Sequence, residues 1–126
     1  MAVSVKRTIA TATATGVSPD VDVIQVPSGE KWTILRATYT VTAIGGTPVL
    51  ELKRTTSADA LQEFLVDETS PSVTVKSRVL NREETTDPVR NLVGMVMTDQ
   101  DKIRLGAPGT GDSITVRLTI SAVVET

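Results

Sequence analysis

The chain contains neither cysteine nor histidine, and its only aromatic residues are Trp32, Tyr39 and Phe64. Each absence removes a class of chemistry. Without Cys no disulfide can form. Without Cys or His the Ser-His and Cys-His nucleophile pairs are impossible, as are His- or Cys-ligated zinc sites. Few rings remain on which a sugar or a base could stack. No long run of one charge occurs either, since 13 basic residues stand against 15 acidic ones for a net of -2. Neutralising a nucleic-acid backbone requires a basic stripe, so no nucleic acid is expected as a partner. No stretch approaches the roughly 20 apolar residues of a membrane-spanning helix, and the opening MAVSVKRTIATATATG lacks the apolar core of a signal peptide. No membrane partner is expected.

What remains is carboxylate chemistry, at Asp20 and Asp22, Asp67 and Glu68, Glu83 and Glu84, and Asp99 and Asp101. A glycosidase sets two carboxylates across a cleft, usually with aromatic platforms, whereas these acids fall at turns. The Asp20/Asp22 pair and Asp99-Gln100-Asp101 could offer oxygens to calcium, but neither belongs to a dozen-residue ligand loop, and solvated turn acids are the expected reading. Gly106 to Gly111 is rich in glycine, yet no Lys-Ser/Thr follows and the next element reads as a strand. It is expected to be a hairpin loop and not a phosphate cradle. The sequence therefore predicts no enzyme, no catalytic residue, no cofactor and no metal.

The residues that are abundant point to β-structure. Val, Ile and Thr are branched at Cβ and favour half-buried, pleated surfaces. A chain of 126 residues fits one domain that buries roughly two-thirds of its unfolded surface. From Ser113 to Glu125 every second residue is apolar (Ile114, Val116, Leu118, Ile120, Ala122, Val124), with Thr115, Arg117, Thr119 and Ser121 between them. A strand sends successive side chains to opposite faces, so this run buries one face and wets the other.

Other segments repeat that logic. Val3 to Thr15 alternates small or branched residues with polar ones, as an ordinary first strand or as an arm lying on a neighbouring subunit. The boundaries expected are an arm or first strand over 1–16 and a sandwich domain over 17–126. After a turn at Gly16 to Asp20, Val21, Val23 and Val26 make a short strand, and Pro27-Ser28-Gly29 a tight turn. Trp32 to Ala43 is a long strand whose apolar parity changes near Ile34-Leu35, which predicts a bulge or a doubly covered strand start. Trp32 reads as a core residue at a sheet end, with an interface anchor as the sharper alternative. Gly45-Gly46 has the spacing of a two-residue hairpin turn leading into Thr47 to Arg54, where Leu50 and Leu52 share a face. Ala60 to Val66 suits a short strand, the alternative being a helix with Thr56 and Asp59 as its capping pair. Val73 to Val79, Leu92 to Met97 and Lys102 to Leu105 complete about eight strands. The expected fold is all-β, a two-sheet antiparallel β-sandwich of jelly-roll or Greek-key type.

Val26-Pro27-Ser28-Gly29-Glu30-Lys31-Trp32-Thr33-Ile34-Leu35, Leu50-Glu51-Leu52, Asp101-Lys102-Ile103-Arg104-Leu105 and Gly109-Thr110-Gly111 before a terminal alternating strand together resemble small β-sandwich structural proteins of tailed bacteriophages. Among these are capsid decoration (cement) proteins and related head or tail components. The resemblance implies a virion location after assembly in the host cytoplasm, binding to the major capsid protein or another virion protein, and homotypic, often trimeric, assembly. It carries no catalytic residue. The residues expected to meet partners are Val3, Val5, Arg7, Ile9, Thr11 and Thr13 on the first segment, through strand addition, and Arg82 and Arg90 in the irregular stretch that follows Val79. A tail or head-completion component is the expectation's nearest alternative, and a carbohydrate- or receptor-binding module the alternative from another class.

Overall fold

The computed structural model describes residues 2–16, 19–68, 71, 78–79 and 95–126. Among them nine strands run in the order β1 (Val3–Thr15), β2 (Val21–Gln25), β3 (Lys31–Gly45), β4 (Leu50–Thr55), β5 (Leu61–Glu68), β6 (Arg78–Val79), β7 (Val96–Thr98), β8 (Lys102–Gly106) and β9 (Ser113–Glu125). They form two sheets in which every pairing is antiparallel. Sheet A has the order β1-β9-β3, with β6 and β7 both beside β3; sheet B has the order β2-β8-β4-β5. Because β6 pairs with Thr38 and Tyr39 while β7 pairs with Lys31 to Thr33, the two short strands share one position on the same edge of β3. Two four-position sheets, with the chain crossing between them at every connection except β4 to β5 and β6 to β7, make a jelly-roll sandwich.

Period-2 patterning fills the space between the sheets. The six alternating apolar residues of β9 from Ile114 to Val124 are buried, and they share one core with Trp32, Ile34, Ala37, Tyr39 and Val41 from β3 and Leu50, Leu52, Ile103 and Leu105 from sheet B, whereas Val123 has the outward parity. β9 lies between β1 and β3, pairing with thirteen residues of each, so it is the axis of sheet A. Trp32 is a core residue at the sandwich end: its indole N–H donates to Glu30 at 2.9 Å, and Lys6 Nζ lies 5.2 Å from its ring centroid. The Tyr39 hydroxyl donates to Glu68 across the core. Buried polar tips are thus partnered, as burial requires.

The parity change in β3 is a bulge. Ile34 pairs with Ala122 and Arg36 with Ser121, so Leu35 is the extra residue and lies 44% exposed. A second bulge at Thr42, between Val41 and Ala43, sends Ala43 to the outer face, against the expectation that it shares the parity of Val41. The Ala60–Val66 segment is a strand. Thr56 closes the turn before it, accepting from Asp59 N and, through its hydroxyl, from Ala60 N.

Two expected hairpins are absent. Gly45-Gly46 does not fold β4 back onto β3, and Gly106 to Gly111 does not join β8 to β9 in one sheet; both segments carry the chain from one sheet to the other. The reason is occupancy: β3 has β9 on one edge and β6 and β7 on the other, while β8 lies between β2 and β4. No ladder position is left for a hairpin partner. Asp112 ties these crossings together, since its carbonyl accepts from Gly16 N at 2.8 Å and its carboxylate accepts from Thr47 N at 3.1 Å.

Candidate functional site

The outer face and open edge of sheet A hold the residues that the fold does not use for itself. Every residue of β1 pairs with β9, and among the described residues no strand pairs with its other edge. The residues it sends into the core are small (Ala10, Ala12, Ala14), which lets the strand close over the core with little bulk, while Lys6 on the same parity covers the Trp32 ring at the sandwich end. The six residues of β1 expected to bind partners all have the opposite parity. Val3, Val5, Arg7, Ile9, Thr11 and Thr13 therefore stand on one outward face, with Val3 60% and Val5 72% exposed. Val5 pairs with Val123, which pairs with Thr33, which pairs with Val96, so an apolar row crosses the sheet near this end. Arg82 and Arg90 lie outside the described residues.

Farther along the same face, three strands bring three arginines to one depression of about 720 Å³. Arg7 and Arg36 are both register partners of Ser121, one on each side of β9, and Arg117 lies four residues along β9 between Thr11 and Thr40. With strands about 4.8 Å apart and a rise of about 3.4 Å per residue, the two flanking arginines are based about 10 Å apart and Arg117 about 14 Å along the strand. Thr38, Thr119, Ser121 and Ile9 floor the space between them. Arg7 was among the residues expected from sequence; Arg36 and Arg117 were not. The one sequence signal for them was outward parity, which Arg117 shares with Thr115, Thr119 and Ser121.

Sheet B is the electrostatic opposite, because its charges are matched on the spot. Lys53 bridges Asp20 at 2.6 Å and Glu51 at 3.2 Å, Lys102 bridges Asp59 at 2.8 Å and Asp22 at 3.4 Å, and Arg104 binds Asp22 at 2.8 Å. Burial pulls the Lys53 ammonium down, but the hydrogen bonds to Asp20 and Glu51 outweigh it and hold the group above its ordinary 10.5. The hydrogen bond with Lys102 holds Asp59 below its ordinary 3.8, and the same bond raises Lys102. These shifts move away from neutrality, the direction of locked ion pairs; a poised general acid or base shifts toward it.

The turn acids serve the fold in the same manner. Asp99 accepts from Gly29 N, and Asp101 accepts from Thr98 N at 3.0 Å while pairing with Arg54 at 3.2 Å. No group of three or more carboxylates that could hold a metal ion occurs among the described residues. Trp32 and Tyr39 are buried, which leaves Phe64 as the aromatic ring at the surface, with Lys53 Nζ 5.6 Å from its centroid. Of the carboxylates named from sequence, Asp20, Asp22 and Asp101 are brought to basic partners, while Glu68 accepts from the Tyr39 hydroxyl and Asp99 from a backbone N–H; Glu83 and Glu84 lie outside the described residues. Compared with known proteins, the chain matches no family model, and no curated protein is significantly similar to it.

Proposed function

We propose that this protein is a non-enzymatic structural protein of a virus particle, a capsid decoration or cement protein that binds the shell through the open edge and outer face of sheet A. Its partners in this reading are the major capsid protein or another virion protein, together with sister copies in a homotrimer. The observation that carries the reading is β1: a thirteen-residue edge strand whose outward valines are more than half exposed and whose second edge is unpaired among the described residues. Edge strands offer a row of backbone donors and acceptors to another chain, and long apolar ones are normally guarded against. Strand addition uses that row for affinity and the alternate side chains for specificity. Individually weak contacts suffice where a lattice repeats them by symmetry. The jelly roll itself does not select this function, because the same architecture serves capsids, lectins and cupins. The buried Trp32 and Tyr39 weigh against sugar binding. A tail or head-completion role would use the same edge and would differ in the number of copies per particle.

Deleting the whole first strand is a poor test, since it would strip the partner from all thirteen paired residues of β9. Replacing Val3 and Val5 by Lys alters the outward face and leaves the inward alanines in place. Loss of about 1.5–3 kcal/mol of burial per valine predicts a drop in shell binding of roughly tenfold or more for each substitution. Copies per purified particle, counted for wild type and the V3K/V5K variant, supply the measurement. Undiminished occupancy by the folded variant would sink the proposal.

A further inference from the structure

The three arginines of the sheet A depression differ from the other basic side chains described. Lys31 faces Glu125, Lys53 faces Asp20 and Glu51, Arg54 faces Asp101, Lys102 and Arg104 share Asp22 and Asp59, and Lys6 lies over the Trp32 ring. Arg7, Arg36 and Arg117 have no carboxylate or ring partner among the described residues, and they are the three that line one concavity. With the other described cations paired, three arginines around one hollow leave, among the described residues, a local excess of positive charge that an anion would relieve.

We infer that this depression is a binding site for a multiply charged oxyanion, a phosphate or sulfate group carried on a small ligand. Arginine suits such a group because its planar fork donates two parallel hydrogen bonds to a pair of oxygens and keeps its charge at every accessible pH. The three arginines line the hollow from three strands, and the Thr38, Thr119 and Ser121 hydroxyls that also line it supply further donors. A carboxylate ligand would meet the charge but offers fewer oxygens to three forks. The volume of about 720 Å³ is within the range of small-molecule sites and larger than one bare anion needs, so it has room for the group that bears the charge. The site is rigid by construction: its residues stand on three adjacent hydrogen-bonded strands.

Two probes test this on the full chain at low ionic strength, inorganic pyrophosphate for the phosphate source and a sulfated disaccharide for the sulfate source, with heats of binding as the readout. Saturable uptake of at least one, with a Kd of about 1 mM or tighter, is the expected result. Arg7→Gln, Arg36→Gln and Arg117→Gln should each weaken it about tenfold or more, as loss of a charge-assisted hydrogen bond does. Lys31→Gln should leave it unchanged, and far-UV circular dichroism confirms that each variant is folded. Whichever probe binds more tightly identifies the source. Absence of saturable heat with both probes up to about 10 mM overturns the inference, as does equal weakening in Lys31→Gln. The inference does not rest on the capsid reading: V3K/V5K tests the edge with the three arginines intact, and the arginine variants test the hollow with the valines intact.

Discussion

Deleting Leu35 and deleting Thr38 remove one residue each from the same strand, and the structure predicts losses of very different size. Leu35 is the extra residue of a bulge, half out of the core at 44% exposure, and its neighbours Ile34 and Arg36 already pair with consecutive residues of β9. Without it, Trp32 and Ile34 still point inward, Arg36 outward, and Ala37, Tyr39 and Val41 inward, so every core side chain keeps its face. The loss is the partial burial of one leucine and the local twist of the bulge, about 1 kcal/mol. Thr38 has no such slack. Its deletion either turns Tyr39 and Val41, now 2% and 5% exposed, out to solvent, or turns Arg36 inward in place of Ala37. The first route forfeits about 1.5–3 kcal/mol for each side chain, and the second buries an uncompensated charge at a cost of several kcal/mol. A loss of about 3–6 kcal/mol consumes much of the stability of a typical domain, about 5–15 kcal/mol, and lowers the thermal midpoint by about 10–25 °C. Thermal melts followed by circular dichroism, with urea titrations for the free energies, give both values. Equal losses from the two deletions, or a larger loss from removing Leu35, would refute the claim that the bulge holds the two halves of β3 in phase.

The ion pairs of sheet B set a pH dependence. Lys53 and Lys102 lie above their ordinary 10.5, so the stability they add is complete below that pH and is lost as pH climbs through the raised values. Asp59 lies below 3.8, so its contribution is present above that value and lost as pH falls through the lowered one. Melting temperature should accordingly be level between about pH 5 and pH 9 and fall on either side, with a shallower alkaline fall in Lys53→Met; an unchanged alkaline limb in that variant would count against the assignment. At the sandwich end, a Cβ on Gly16 would run into the carbonyl oxygen of Gly109, whereas one on Gly29 meets nothing within 4 Å and pays only for its φ of +82°. Gly16→Ala should cost about 3 kcal/mol in urea unfolding and Gly29→Ala about 1–2 kcal/mol, and the reverse order would show that the two turns do not pack as described.

The sequence by itself determined what depends on neighbours one and two residues away. Side chains on a strand alternate between faces whatever the strand pairs with, so the buried face of β9, the shared face of Leu50 and Leu52, and the change of parity near Ile34-Leu35 could all be read from the sequence, while the pairing of β3 with β9 showed that the change is a bulge and not a doubly covered strand start. The six outward residues of β1 were legible for the same reason. Tertiary structure decided what depends on which edges are free. Gly45-Gly46 has the local chemistry of a hairpin, but β3 already holds neighbours on both sides, so the chain crosses to the other sheet. Leu61 to Glu68 became a strand because β4 offered its open edge, a fact absent from residues 60–66. The arginine hollow belongs to this second class: Arg7, Arg36 and Arg117 meet only because β9 inserts between the first and third strands, and no spacing along the chain encodes that insertion. Periodicity is a property of the backbone and travels with the sequence. Adjacency is settled by the burial summed over the whole sandwich.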